Sequence, residues 1–204
     1  MYIPHIYKNE NLEEIRDFVS QNAFAILVSQ VDGNPWASHI PLELKHSKEG
    51  GDRLVGHLAK ANPQWRSFSD KQKVLAIFNG PHSYVSSSWY KKEEVPTWNY
   101  IAVHIYGTIN LQDETQLHES LNTLVDKYEQ ESQHPVSLHD LSDKTMRQIG
   151  GIVGFEISID EIHAAYKLSQ GRAHDHQAII SELEQKKNPG SQAIAEEMKK
   201  RKTN

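Results

Sequence analysis

The amino-acid sequence predicts a mainly β, α+β fold: a meander or Greek-key sheet with peripheral helices and a helical hairpin at the C-terminal end. Three observations lead there. Apolar or alternating runs of strand length recur at Ala23 to Val28, Trp36 to Leu44, Arg53 to Ala59, Val74 to Phe78, Ser83 to Trp89, Trp98 to Leu111 and around Phe155 to Ile159. Turn residues separate them, among them Asp32-Gly33, the HSKEGGD loop and Gly80-Pro81. Helical spacing is confined to the stretch before the first run, the intervals between runs and the end of the chain. Six or seven short strands suit a small closed barrel.

Each element has a local reason. Asn11 followed by Glu14 forms a capping-box pattern, and Leu12, Ile15, Phe18 and Val19 then share one helical face, so a first helix ends near Asn22. In the run Trp98 to Leu111, Ile101, Val103 and Ile105 fall on one face and Ala102, His104 and Tyr106 on the other. Asp113 and Gln116 cap a helix in which Leu117, Leu121, Leu124, Val125 and Tyr128 keep helical spacing to about Glu131. After His134-Pro135 a polar connector with a short helix reaches Gly150-Gly151, and Phe155, Ile157 and Ile159 alternate with polar residues in a closing strand. From Gln177 the pattern becomes helix, NPGS turn, helix, ending at Arg201.

Composition narrows the function classes. The chain has 204 residues, enough to bury a core in one large domain, and its 22 Lys+Arg against 27 Asp+Glu leave a net charge of −5 that repels phosphate backbones as a whole. The absence of cysteine excludes disulfides, thiol nucleophiles, iron–sulfur clusters and thiolate zinc sites. No apolar run approaches the ~18 residues of a membrane span, and MYIPHIYKNENLEEI has no signal-peptide pattern, so a cytoplasmic, non-membrane protein is expected. Of the twelve histidines, His174 and His176 form the close pair, at a spacing that points their rings apart on a helix, so no metal site is expected.

The stretch Phe78 to Tyr100, FNGPHSYVSSSWYKKEEVPTWNY, interleaves aromatic rings with small hydroxyl and amide groups. That composition suits a planar, polar, phosphorylated ligand. Trp89 and Trp98 are candidate walls, Ser86, Ser88, Thr97 and Asn99 candidate donors, and Lys60 and Arg172 candidate counter-charges for a phosphate. The same residues fit a blander reading, with the aromatics in a core or subunit interface and the serines on an exposed loop. No triad order, paired-carboxylate motif or phosphate-binding glycine loop is present.

Together with HLAKANPQW (His57 to Trp65) and AYKLSQGR (Ala165 to Arg172), this stretch resembles the PaiB family of FMN-binding split-barrel proteins, described as negative transcriptional regulators. The resemblance runs from MYIPHIY almost to the last helix. It departs from the family at Gly171, where KLSQNR is usual, and at Ser87, where SPSWY is common; Gly supports the left-handed backbone that Asn tolerates, so the turn is expected to survive with Gly171 in that conformation. The resemblance implies a Greek-key split β-barrel of FMN-binding type over residues 1–170, a packed helical appendage over 171–204, and a homodimer with FMN between subunits. It also implies that His39, His57, Lys60, Asn62, Gln170 and Arg172 face the cofactor, although an isolated strand histidine is equally a packed residue.

The function implied is that of an FMN-binding negative regulator of protease and sporulation genes. A flavin-dependent oxidoreductase of the split-barrel superfamily is the alternative, because a flavin brings its own redox chemistry. A haem-binding split-barrel protein is a third. The last two helices match a DNA-reading helix-turn-helix only in outline, since Glu196 and Glu197 fall in the second helix. Weak DNA contact is therefore expected through Lys199, Lys200, Arg201 and Lys202.

Overall fold

A computed structural model describes residues 1–47, 51–68 and 72–201. A two-residue strand, β1 (Lys8–Asn9), precedes helix α1 (Leu12–Gln21). The Asn11 side chain caps α1 by accepting from the N–H groups of Glu13 and Glu14 at 3.1 and 3.2 Å. The returning half of the expected capping box is not made. The Glu14 carboxylate instead accepts from the Asn9 amide at 2.9 Å and pairs with Arg201.

Strands β2 (Phe24–Val31) and β3 (Asn34–Pro41) form a hairpin. Asp32 and Gly33 have φ of 51° and 76°, the pair of left-handed residues that a two-residue I′ turn requires. The sequence suggested one strand from Trp36 to Leu44; the structure has two, β3 and β4 (Glu43–Ser47), broken at Leu42. Leu42 is wholly buried and gives its N–H to Ala23 at 2.8 Å, so it leaves the β3 ladder to enter the core. β5 (Gly51–Ala59) pairs with β4. The two short strands expected on either side of Gly80-Pro81 are a single strand, β6 (Lys73–Val85). A Cβ at Gly80 would lie 2.6 Å from the Phe18 ring, so this glycine serves close packing rather than a turn.

β7 (Thr97–Leu111) leads into α2 (Glu114–Glu129), whose Asp113–Gln116 capping box is closed in both directions, at 2.8 and 3.0 Å. A short helix, α3 (Asp143–Met146), precedes β8 (Ile152–Lys167). The chain ends in the hairpin α4 (His176–Gln185) and α5 (Pro189–Lys199), with Asn188 capping α5 through Ser191 N–H at 3.1 Å.

The strand order is β3-β2-β6-β7-β8-β5-β4, with β1 added to β8. Among the described residues that is eight strands where six or seven were expected: β1 is too short to read and Leu42 divides one run into two, while β6 merges the two runs around Gly80-Pro81. The sheet is not closed, since β3 and β4 end the order without pairing. Yet a single residue, Leu42, joins them, so the sheet must curl until its two ends are neighbours. The closed barrel expected from strand count is thus a split one.

The chain divides into two compact units: residues 1–18, 78–104 and 163–204 form one, residues 19–77 and 105–162 the other. In the second, Leu27, Leu42, Leu54, Ile105, Ile109, Phe155 and Ile157 are at most 1% exposed and fill the barrel. α2 is tied down by Glu43, whose carboxylate accepts from Lys127 Nζ at 2.7 Å and Tyr128 Oη at 2.8 Å. In the first, Phe78, Tyr166, Leu168, Ile179, Leu183, Ile194 and Met198 make the core between sheet and helical hairpin.

Gly107 is packed so closely that a Cβ would stand 2.4 Å from both Ile157 Cγ2 and the Ser158 carbonyl oxygen. Because the second neighbour is backbone, relief requires moving β8. Gly107→Ala is therefore expected to lower unfolding free energy by about 1–3 kcal/mol in a urea titration, whereas Gly150→Ala, with nothing within 4 Å of its Cβ, stays near wild type.

Candidate functional site

The residues singled out from sequence divide between the two units. His39, His57, Lys60 and Asn62 lie in residues 19–77, and Ser86, Ser88, Trp89, Thr97, Trp98, Asn99, Gln170 and Arg172 in the other unit.

In the barrel unit, the end of β5 is pinned by its backbone. Lys60 N–H donates to Gly151 at 2.9 Å, and its carbonyl accepts from Trp65 Nε1 at 2.9 Å. Its side chain lines a cavity of about 680 Å³ with His118, Arg147, Asp113, Glu114 and Asp143. Asn62 is used twice within the protein, donating to Ser38 Oγ at 2.8 Å and accepting from Gln64 N–H at 3.0 Å, so it shapes the turn after β5. Gln64, wholly buried, anchors that turn by donating to the Leu27 carbonyl and Ser29 Oγ at 3.2 and 3.0 Å. His39 is exposed on β3, its ring 6.5 Å from that of Phe24. His57 is half-buried on β5, and burial pulls its imidazole pKa below the ordinary 6.5.

In the other unit, strand alternation separates residues that the sequence placed side by side. Thr97 and Asn99 point to one face of β7, and Trp98 points to the opposite one. Asn99 is wholly buried; its amide donates to Ser169 Oγ at 3.0 Å and its carbonyl accepts from the same hydroxyl at 3.1 Å. Ser169 has φ of 59°, so the left-handed residue of the KLSQGR turn is Ser169 and not Gly171. The reason is a tertiary bond with local support: the Ser169 side chain holds Asn99, while Gln170 turns back to accept from Leu168 N–H at 2.9 Å and to donate to the Tyr166 carbonyl. Asn99 and Gln170 thus build the turn from inside.

What the turn presents is cationic. Lys167 donates to Thr97 Oγ1 and sits 5.7 Å from the Tyr7 ring centroid. Arg172 stacks over Tyr90, its Cζ 4.1 Å from the ring centroid, and reaches Glu94 at 3.4 Å. Lys167, Arg172, Thr97, Tyr7 and Glu94 line a groove of about 270 Å³, with Asn99 and Ser169 at its floor. A second groove of about 350 Å³, with Lys91, Lys92 and His174, shares Glu94, Gly171 and Arg172 with the first. Partial burial lowers the Lys167 pKa, and the charge of Arg172 lowers it further. Burial raises the pKa of Tyr90, with Arg172 pulling the other way, and the Tyr90 hydroxyl is buried with no hydrogen-bond partner.

On the opposite face, Trp98 is 54% exposed and Tyr84 41%. The Tyr84 and His82 rings lie 5.9 and 6.0 Å from that of Trp98, forming an aromatic shelf. The shelf borders a cavity of about 520 Å³ closed by Lys186 and the Asn188–Ser191 turn. Trp89 is less available: Lys186 Nζ stands over its ring at 4.6 Å. Ser86 and Ser88 share a hydroxyl–hydroxyl bond of 2.8 Å within the 3₁₀ turn Ser87–Trp89.

Sequence reasoning missed Lys167, Tyr90 and Glu94. Lys167 stood inside the quoted motif, but only the folded turn shows that it and Arg172 share a groove. Among the described residues, no cluster of His, Asp or Glu could hold a metal ion.

A family model described as "Putative FMN-binding domain" matches residues 1–161. A curated relative, "Protease synthase and sporulation protein PAI 2" of Bacillus subtilis, is 44% identical over 200 residues, covering 97% of this chain and 96% of the relative. The chain belongs to the PaiB family of FMN-binding domains. An uncharacterized protein of Emericella nidulans is 26% identical over 250 residues, 98% of this chain and 97% of that one. Among solved structures, the FAD and heme binding protein from Mycobacterium smegmatis aligns with a TM-score of 0.60 at 17% identity, over 79% of this chain and 73% of that one. The flavocytochrome Anf3 from Azotobacter vinelandii aligns with a TM-score of 0.62 at 16% identity, over 79% and 70%. At such identities the likeness shows the fold, the split barrel that Leu42 imposes on the sheet.

Because the folded-state pKa of His57 is depressed, the unfolded chain takes up its proton first as pH falls. The stability associated with neutral His57 is present above pH 6.5 and is lost as pH drops from there through the folded-state value. His57→Gln is expected to flatten the decline of melting temperature as pH falls below about 6.5, as followed by circular dichroism.

Proposed function

We propose that this protein is an FMN-binding negative regulator of the PaiB type, and that the FMN phosphate is held by Arg172 and Lys167. The observation that carries the placement is a groove with two cations and the Thr97 hydroxyl on its walls, in a chain that belongs to an FMN-binding family. Two like charges drawn together in a half-buried groove are stabilised by a dianion, and a guanidinium supplies paired donors to phosphate oxygens. Arg172 is kept in place by Tyr90 beneath it and by the backbone bond from its own N–H to Ser169 at 3.0 Å.

The flavin ring needs an apolar wall, and the open one is the shelf of Trp98, Tyr84 and His82. Since shelf and phosphate groove lie on opposite faces of β7, one FMN does not touch both in the same chain. A homodimer resolves this: the shelf of one subunit meets the groove of its partner, and two-fold symmetry gives two equivalent sites. In this reading Lys60, Asn62, His57 and His39 form a further cofactor-side surface at the end of β5 and on β3, residues 1–170 form the flavin-binding domain, and 171–204 its helical appendage.

DNA contact through the C-terminal basic run meets an obstacle. Lys199 is paired with Glu184 and Glu196, Lys200 with Glu197 and Arg201 with Glu14, while Lys202 lies outside the described residues. Against a net charge of −5, contact through this run is weak and salt-sensitive. The salt dependence of DNA binding, measured by fluorescence anisotropy, is expected to have a log–log slope no steeper than about −3.6, and Lys199→Gln/Lys200→Gln to flatten it further. Tight, sequence-selective binding at physiological salt that survives those changes would instead assign reading to another surface.

For the cofactor, Arg172→Gln is expected to weaken FMN binding roughly ten- to hundred-fold in a fluorescence titration, as the loss of a charge-assisted bond predicts. Trp98→Ala should reduce the quenching of flavin fluorescence more than Trp36→Ala does. Retained FMN affinity in a folded Arg172→Gln variant removes the phosphate from this groove. Bleaching of the bound flavin by NADH or NADPH would favour the oxidoreductase reading over the regulator.

A further inference from the structure

Glu94 is the carboxylate bordering both cationic grooves, and it reaches Arg172 at the long separation of 3.4 Å. It belongs to the irregular segment between the Ser87–Trp89 turn and β7, so few backbone bonds fix it, and its side chain is 50% exposed. Arg172 is the opposite case. Its side chain is 21% exposed, stacked on Tyr90, and attached to a turn that Asn99 and Ser169 lock from the core. A loosely held acid therefore faces a fixed base. An ion pair this long and this exposed is weak, and a dianion offering two oxygens to the guanidinium outcompetes a single carboxylate oxygen.

We propose that Glu94 is a removable partition: it occupies the anion seat on Arg172 until a phosphate monoester displaces it, and its departure joins the two grooves into one. The inference rests on the reading of Arg172 as the phosphate anchor. It adds that the apo protein blocks its own site with a carboxylate of this chain. It also makes the joined groove selective for dianionic phosphate esters over carboxylates, because a ligand with one negative charge gains no more from Arg172 than Glu94 already supplies. The second groove, lined by Lys91, Lys92, His174 and Asp175, whose carboxylate is engaged by the Lys91 N–H at 2.9 Å, becomes accessible to the rest of the ligand once the partition has moved.

Three variants test this in the full-length protein: Glu94→Gln, Arg172→Gln, and Glu93→Gln, which changes net charge equally from the adjacent position. The probes are inorganic phosphate, acetate and FMN, each titrated calorimetrically. Glu94→Gln is expected to bind inorganic phosphate roughly three- to tenfold more tightly than wild type, and to gain acetate binding that wild type lacks. Glu93→Gln is expected to match wild type, and the double variant Glu94→Gln/Arg172→Gln to lose the gain. Unchanged or weaker phosphate binding in folded Glu94→Gln overturns the partition. An equal gain in Glu93→Gln, or a gain that persists without Arg172, overturns it too, by showing a general charge effect. If phosphate binding follows Glu94 and Arg172 as expected while FMN affinity is indifferent to both, the partition stands and the placement of the flavin phosphate fails.

Discussion

Asn99 and Ser169 exchange two hydrogen bonds at a position from which water is excluded, and the phosphate-type groove depends on that exchange. A buried amide with an unpaired donor or acceptor costs about 1–3 kcal/mol, so the pair is strongly favoured over either partner alone. Its geometric effect is greater than its energy. It draws Ser169 into a left-handed conformation that a residue with a Cβ adopts at some cost, and that conformation turns the chain sharply at the end of β8. Lys167 before the turn and Arg172 after it are brought to one groove as a result. A strand, a turn and two cations are one mechanical unit.

The barrel unit follows from a different constraint, the single residue between β3 and β4. A ladder cannot cross from one end of the strand order to the other through one residue unless those ends are adjacent. Leu42, with its side chain in the core and its N–H bonded to Ala23, marks where the chain changes partner, and Pro41 before it has no N–H with which to continue the β3 ladder. The split is thus a product of local chemistry at two residues. Glycines at 56, 107 and 154 then let strands and helix approach where a Cβ would collide with Leu42, Ile157 or Gln112.

Much of this was legible in the sequence, and what was not has physical reasons. Capping and periodicity marked α2, helical pattern marked the C-terminal hairpin, and Asp32-Gly33 marked its hairpin, because those signals are local, although the NPGS segment expected as a turn is the cap and first turn of α5. The break at Leu42 and the continuity of β6 through Gly80-Pro81 were hidden, because both depend on what packs against the strand: the barrel core in one case, the Phe18 ring in the other. The same limit applies to the site. Aromatic and polar residues were correctly seen to alternate between Phe78 and Tyr100, but alternation along a strand is also what places Trp98 and Thr97 on opposite faces. Gly171 was expected to carry the left-handed angle because glycine does so at least cost; a tertiary hydrogen bond moved it to Ser169.

The charges teach the same lesson in the opposite direction. A run of Lys199, Lys200 and Arg201 reads as a basic patch, yet each cation meets a carboxylate, two of them one turn back on α5 and the others on α4 and α1. Arg172 and Lys167 are five residues apart and attract no notice as a cluster, yet the turn between them concentrates their charge in a groove whose bordering carboxylate is Glu94. Local density of like charge in sequence is therefore a poor guide to where an anion binds. What matters is whether the fold supplies the neutralising acid: at the end of α5 it does so with ion pairs along the helix and to neighbouring helices, and at Arg172 it does so with an acid on a segment that can leave.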